Sequence, residues 1–302
     1  MQYNHCMKKR IFLTGGSGFI GKNLNEFFKK NYNVSAPSSK ELDLLDEKEV
    51  EAYLKKYEFD IVIHCAIHDA TLTSKKDKSM VLHNNLRMFF NLARNHTSYG
   101  KMIYFGSGAE YDKRYIIPKA PEDFFDNHVP IDDYGFSKYI MSKYIKSSPN
   151  IYDLRIFGLF GKYEEWRLRF ISNAICFALY GMDIIINQNI TFDYLYINDL
   201  VKIIELLVGS KKPKHKHFNV CSGKTHDLVT LAQKVIAVSG KKLKVKVKKK
   251  GMGREYSGDN TRLLKEIGPF TFTPMNQAIQ ELYTWYEKRK YTIDKNKIYV
   301  KR

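Results

Sequence analysis

The sequence predicts an α/β fold, a doubly wound parallel sheet followed by a smaller α/β lobe. Three observations carry that expectation. Short apolar runs at residues 10–14, 60–66, 101–105 and 151–156 alternate with stretches of helical periodicity, as in a parallel sheet with crossover helices. The first run breaks into a glycine turn, Gly15-Gly-Ser-Gly18-Phe-Ile-Gly21, which opens a helix with Leu24, Phe27 and Phe28 on one face. The 302 residues, 44% hydrophobic and 14% aromatic, suffice for a large core in one domain or two closely joined lobes.

Each element has its own warrant. Glycines at 15, 18 and 21, set between a strand and a helix, permit a tight turn. They also let a dinucleotide pyrophosphate approach the N–H groups at the helix start, so Gly15, Gly18, Phe19, Ile20 and Gly21 are expected cofactor contacts. A second strand at 33–36 leads into Pro37-Ser-Ser-Lys40. An acid at this strand end would bind the ribose 2′-hydroxyl of NAD, but the first acid, Glu41, comes late. Ser38, Ser39 and Lys40 suit a 2′-phosphate better, so NADPH is the preferred coenzyme and NAD the alternative. A helix to Tyr57, the buried run at 60–66, a helix at 79–95 and a strand at 101–105 follow. Ligands of such sheets sit at the carboxyl ends of the strands, where Ser107 lies.

Beyond a proline-marked acidic connection (118–130) come a helix at 134–146, a strand at 151–156 and a turn at 157–161. Then the alternation loosens: helix 166–180, strands 183–186 and 193–196, helix 199–208 capped by Asp199, strand 218–220, helix 227–239 and a last amphipathic helix at 275–288. Residues 8–160 are expected to form mainly a dinucleotide-binding domain. Residues 161–290 would form mainly a substrate lobe, with interleaved strands returning to the first domain, and 291–302 a basic tail.

The formal charge of +18 raises nucleic acid as a partner. The lysines are spread out, however, and the dense run 241–250 alternates Lys with Leu or Val, as an edge strand with one wet face would. No nucleic-acid site is expected. No apolar run approaches the ~20 residues of a membrane span, and the polar start of the chain does not read as a secretory signal. Cys6, Cys65, Cys176 and Cys221 lie far apart, as reduced cytoplasmic thiols do. His64 with His68, and His215 with His217, are pairs lacking a third ligand, so no metal is expected.

Tyr134-Gly-Phe-Ser-Lys138 places a phenol and an ammonium four residues apart, on one helix face. A neighbouring positive charge favours the phenolate, which makes Tyr134 a candidate proton donor and acceptor.

These motifs together, spanning residues 10–287, resemble the extended short-chain dehydrogenase/reductase family in its nucleotide-sugar branch. Thr14-Gly-Gly-Ser-Gly-Phe-Ile-Gly21 resembles the family's T-G-x-x-G-F-x-G, and Asp43-Leu44-Leu-Asp46 its D-x-x-D. Ile63-His-Cys-Ala66 resembles the H-x-A-A strand end, and Asn85 falls at the helix asparagine. Phe105-Gly-Ser107-Gly-Ala-Glu-Tyr111 resembles the S-x-x-x-Y stretch, Tyr134 to Lys138 the Y-x-x-x-K, and Leu154-Arg-Ile-Phe-Gly the element after it. Phe192-Asp-Tyr-Leu-Tyr-Ile-Asn-Asp199 is similar to R-D-F-x-Y-V-x-D, with phenylalanine replacing arginine, and Phe218-Asn-Val-Cys-Ser-Gly223 is similar to the N-x-x-S/G-G strand.

The resemblance implies a Rossmann fold and a homodimer. It implies cofactor contacts at Asp43, Leu44, Ala66, Asn85, Tyr134 and Lys138 in addition to the glycine turn. It also implies a triad in which Tyr134 moves the proton, Ser107 holds the sugar oxygen and Lys138 binds the nicotinamide ribose. Ala109 beside Ser107, and Arg254 as a clamp on the substrate diphosphate, are the expected substrate contacts.

Branches of the family differ just after the serine. The 4,6-dehydratases carry an Asp-Glu pair there, where this chain has Gly108 and Ala109. GDP-fucose synthase, whose acidic segment before the tyrosine is similar, has a cysteine at the position of Ala109 and a histidine beyond the Y-x-x-x-K. Here no histidine stands between His128 and His215. Reduction alone remains: an NADPH-dependent reductase of a nucleotide-linked 4-keto-6-deoxy sugar, as in capsule or lipopolysaccharide pathways. A C4 epimerase with tightly bound NAD is the alternative, and a redox-sensing or RNA-binding module is a third reading.

Overall fold

The computed structural model describes residues 8–69, 71–210 and 212–298; Cys6 and the end of the basic tail lie outside them. The described residues group into two compact units. The first draws on Met1–Glu110, Val129–Arg155 and Leu207–His217, the second on Tyr111–His128, Ile156–Leu206 and Phe218–Arg302.

The first unit opens with β1 (Arg10–Thr14), α1 (Phe19–Phe28), β2 (Asn33–Ser35), α2 (Glu47–Tyr57), β3 (Phe59–His64), α3 (Val81–Ala93) and β4 (Tyr99–Ser107). It continues with α4 (Asp133–Ser147) and β5 (Ile151–Ile156), the last residue of which passes into the second unit. β1 pairs in parallel with β2 and β3, and β3 with β4. Thus β1 and β3, where the chain reverses its direction of travel across the sheet, stand side by side. Phe12, Val62, Met102 and Tyr104 join Val50, Leu54, Phe89, Leu92, Met141 and Ile145 of α2, α3 and α4 in one core cluster. The alternate residues Ile11, Leu13, Ile61, Ile63 and Ile103 are buried as well, so both faces of the sheet are covered, as parallel strands require.

The second unit holds β6 (Gly158–Phe160), α5 (Phe170–Leu179), β7 (Ile184–Asn189), β8 (Thr191–Tyr196) and most of α6 (Ile197–Gly209). After β9 (His217–Val220) come β10 (Thr225–Asp227), α7 (Leu228–Ser239), β11 (Val245–Met252), α8 (Thr261–Ile267) and α9 (Met275–Glu287). The six-stranded sheet has the order β2-β1-β3-β4-β5-β9, and two small sheets have the orders β10-β8-β6 and β11-β7. None of the helices among the described residues is long and apolar enough to cross a membrane.

Three expectations need correction. The turn at 157–161 contains a strand, β6, because Gly158 lets β8 pair closely; a Cβ there would stand 2.6 Å from the Asp193 carbonyl oxygen. Asp199 does not cap α6, which starts at Ile197 directly from β8. Its carboxylate instead accepts from the Thr273 backbone N–H at 2.9 Å and hydroxyl at 2.7 Å. The lysine-rich strand β11 is exposed at every residue after Val245, so both of its faces are wet rather than one, and among the described residues it pairs with β7. Its Lys246 meets Asp183 at 2.9 Å.

Lysines also finish α6 inside the first unit. The carbonyl oxygens of Leu207 and Ser210 each accept from Lys101 Nζ at 2.5 Å, and that of Val208 accepts from Lys9 Nζ at 3.0 Å. Cations there satisfy orphan carbonyls and oppose the helix dipole. At the opposite kind of terminus, Asp46 caps α2 by accepting from Lys48 N at 2.9 Å and Glu49 N at 3.0 Å. Asp46→Ala is expected to lower unfolding free energy in urea by about 1 kcal/mol with an unchanged m-value.

Candidate active site

β4 delivers Ser107 to the carboxyl edge of the sheet, since a nine-residue run buried almost throughout must end where the chain turns. The backbone N–H of Ala109 donates to Ser107 Oγ at 3.1 Å, closing the single helical turn Gly108–Tyr111. α4 begins at an Asp132 cap, whose Oδ1 accepts from Gly135 N at 2.8 Å. The cap sets Tyr134 in the first turn, half-buried, and Lys138 one turn further in, buried. Lys138 Nζ donates to the Phe105 carbonyl oxygen at 2.5 Å, two residues before Ser107. The same atom lies 4.5 Å from the Tyr104 ring centre and 5.8 Å from that of Tyr134. The helix spacing therefore brings phenol and ammonium together, and β4 anchors the ammonium.

Beneath them lies an ion network that the motif reading passed over. Arg155 Nε donates to Glu110 Oε2 at 2.8 Å and stands 3.3 Å from Asp153 Oδ2. Ser142 Oγ accepts from the guanidinium at 2.9 Å and donates to Asp153 Oδ2 at 2.8 Å. Glu110 Oε1 accepts from the Ser107 backbone N–H at 2.9 Å. All of these side chains are buried, and a Cβ on Gly106 would collide with the carboxyl groups of both Asp153 and Glu110. Burial, then the neighbouring Asp153, pushes Glu110 up to about 8 against the pull of Arg155. Burial pushes Lys138 down to about 8, with Glu110 and Asp153 opposing. A signal for this network was present: Asp153 and Arg155 are alternate residues of a strand otherwise apolar. Two charges facing the same way in a buried strand need partners inside.

The ends of β1 and β3 form a second feature. Thr14 Oγ1 lies 2.8 Å from His64 Nδ1 and accepts from Ala66 N at 3.1 Å. Gly15 has φ +67°, and a Cβ there would sit 2.7 Å from Ala66 N; one on Gly21 would strike the Gly15 carbonyl. α1 starts at Gly18 with no side-chain cap and no acid in its first turn, so the amides at its N-terminus are left to an anion. This glycine cradle fits the pyrophosphate of a dinucleotide, with Phe19 and Ile20 as the first residues of the helix.

The remaining cofactor candidates are placed as follows. Asn85 Oδ1 accepts from His68 N at 2.8 Å and its Nδ2 donates to His68 O at 3.3 Å, so its amide holds the loop after β3. Asp43 Oδ1 accepts from Leu45 N at 2.9 Å, and the Leu44 carbonyl accepts from Asn91 at 2.9 Å, so this turn is pinned to α3. Ser38, Ser39 and Lys40 are exposed, and Lys40 makes no ion pair among the described residues. The carboxylate of Glu41 folds back to accept from Ser38 N at 2.7 Å, bringing an acid to the turn that the spacing had kept away. Ala109 is buried beside Ser107; Arg254 belongs to the second unit and is exposed.

The chain is similar to known proteins in sequence and in fold. The model of the NAD dependent epimerase/dehydratase family matches residues 11–221. The chain is 26% identical to a GDP-L-colitose synthase of Yersinia pseudotuberculosis, over 93% of this chain and 99% of that protein. The fold superimposes with a TM-score of 0.79 on a GDP-mannoheptose C4 reductase of Campylobacter jejuni with NADP bound, at 17% identity, covering 93% of this chain and 98% of the other. It superimposes with a TM-score of 0.78 on a UDP-glucose 4-epimerase of Thermotoga maritima, at 19% identity over 93% and 99% of the two chains.

The site also makes stability depend on pH. Burial, and then the charge of Lys138, lowers His64 from 6.5 to about 3. Above pH 6.5 the imidazole is neutral whether the chain is folded or not. Below it only the unfolded chain takes up the proton, so stability falls towards pH 3, by up to about 1.4 kcal/mol per pH unit. Buried carboxyl groups that are pushed up, such as Glu110, contribute the opposite slope, so the His64 share is read as a difference: in urea denaturation between pH 6 and 4, His64→Asn is expected to lose less stability per pH unit than the parent.

Proposed function

The chain belongs to the NAD dependent epimerase/dehydratase family and is an NAD(P)-dependent oxidoreductase, and from that premise we propose that it reduces the C4 keto group of a nucleotide-linked 4-keto-6-deoxy sugar. NADPH is the proposed coenzyme; when bound it supplies the hydride. The observation that carries the reading is the direction of Glu110. Water elimination requires an acid and a base near Ser107, yet the nearest following carboxyl group is turned inward onto Arg155 and the Ser107 amide. No acid–base pair is left there for dehydration, while the proton-donating set remains whole.

In this proposal Ser107 Oγ and the Tyr134 hydroxyl hydrogen-bond the keto oxygen and polarise the carbonyl. As charge grows on that oxygen Tyr134 gives up its proton, leaving an alcohol on the sugar and a phenolate on the enzyme. The buried ammonium of Lys138 favours that phenolate. The glycine cradle holds the coenzyme pyrophosphate, and Lys138 reaches the nicotinamide ribose. Lys40, with Ser38 and Ser39, supports a 2′-phosphate, and Arg254 offers a guanidinium fork to the substrate diphosphate.

One observation favours a second reading. The carboxylate of Glu41 at Ser38 N is the kind of group that accepts a ribose 2′-hydroxyl, and a C4 epimerase with retained NAD would use the same tyrosine and lysine. Purified protein incubated with NADPH and a panel of GDP- and dTDP-4-keto-6-deoxyhexoses is expected to show coenzyme oxidation at 340 nm. Tyr134→Phe should lower kcat by at least ~100-fold while NADPH binding changes little. Reversible C4 epimerisation of a UDP-sugar by protein that carries NAD, with no NADPH consumed across the panel, would overturn the reductase.

A further inference from the structure

The proposed reaction makes no use of the lysine run at 241–250, and the exposure of β11 on both faces gives that run a different meaning from a half-buried edge. We propose that it is a docking surface for the anionic face of a phospholipid bilayer, with the lysines on the headgroups and Val247 and Met252 entering between them. The inference goes beyond the oxidoreductase reading and does not rest on it.

Seven lysines fall within the ten residues 241–250, and no acid stands between Gly240 and Arg254. Every residue of β11 from Lys246 to Met252 is exposed, although the strand keeps a parallel register with β7. An extended strand of this length covers about 25 Å, so the charges lie along a line rather than at a point. Two of the lysines have duties within the second unit. Lys241 Nζ donates to the carbonyl oxygens of Ala178 and Leu179, at 2.7 and 2.8 Å, and Lys246 meets Asp183 at 2.9 Å. Lys242, Lys248, Lys249 and Lys250 make no ion pair among the described residues. Like charges crowded in this way repel one another, and an anionic surface relieves that repulsion.

The chemistry of the run selects the occupant. Nucleic acids are held by arginine forks and by aromatic side chains on which bases stack, and residues 241–252 contain neither type. Lysine is a point charge suited to a diffuse array of phosphates, and clusters of roughly four to eight basic residues bind anionic lipid surfaces. Among these lysines Val247 is 42% exposed and Met252 57% exposed. Protection of a sheet edge explains lysines, but it gains nothing from apolar side chains left in water beside them. A surface that lies on a bilayer uses both kinds, and it needs no spanning helix.

The test is flotation of the full chain with vesicles of phosphatidylcholine, alone or with one-third phosphatidylglycerol. It uses neither coenzyme nor sugar, so it stands apart from the sugar panel. The parent is expected to float only with the phosphatidylglycerol vesicles and to be released at about 0.5 M NaCl. Lys248→Glu, Lys249→Glu and Lys250→Glu together should weaken partitioning by at least ~100-fold. Reversing the exposed Lys48, Lys265 and Lys288 to Glu changes the net charge equally and should cost less than about tenfold. Val247→Ser with Met252→Ser should cost about tenfold at unchanged charge. Thermal melting verifies that each variant is folded, and the three changes to Gln replace those to Glu if reversal impairs folding. A parent that does not float, equal losses in the two reversal sets, or a serine variant that floats as the parent does overturns the proposal. So does a DNA duplex or polyglutamate that strips the protein from the vesicles at equal charge concentration, since the run would then be a site for that polymer.

Discussion

The burial of Arg155 is the constraint on which the arrangement around Ser107 and Lys138 depends. A guanidinium removed from water is tolerated only when its hydrogen bonds and its charge are both answered, and breaking such a pair costs several kcal/mol because the partner is left uncompensated. Here Glu110, Asp153 and Ser142 answer it from three elements. Once those contacts are required, the end of β4, the turn after Ser107, the inner face of α4 and the strand β5 can take few positions relative to one another. The candidate site residues are carried on that frame. Ser107 and Lys138 are each bonded to the backbone of β4 or its turn, so their placement follows from the packing of charges below them rather than from contacts with each other.

The glycine turn meets a different requirement, that of backbone against backbone. Gly15 lies where β1 and β3 run in parallel and part, and its left-handed φ together with the closeness of Ala66 leaves no room for a side chain. The open N-terminus of α1 follows directly. A helix whose first amides are neither capped nor faced by an acid keeps an unmet demand for negative charge, and that demand is what a dinucleotide meets.

Much of this could be read from residue patterns, and the parts that could not share a cause. The sheet, the α1 helix and the tyrosine–lysine helix were legible because apolar period and glycine spacing are local signals. The strand β6 was hidden behind the glycines at 158 and 161, which locally suggest a turn; its strand character comes from β8, more than thirty residues away. Asp199 looked like a cap because it precedes an apolar helical stretch, but the helix begins two residues earlier and the carboxylate serves Thr273, far along the chain. Glu110 carries no local signal, since it follows Gly108 and Ala109 in a short turn with no periodicity of its own. Its role is defined by Arg155, forty-five residues on. Each gap is a long-range partner that no short window contains.

Gly106 carries a consequence for how this site can diverge. Its missing side chain is the space in which the two carboxyl groups meet, so positions 106, 110 and 153 form a single unit of inheritance. A lineage that acquires alanine at 106 must first have shed or turned away both Glu110 and Asp153, and one that sheds either leaves Arg155 to find another counter-ion. Related sequences should therefore change at these positions together, in steps, and glycine at 106 should accompany the two acids wherever both persist.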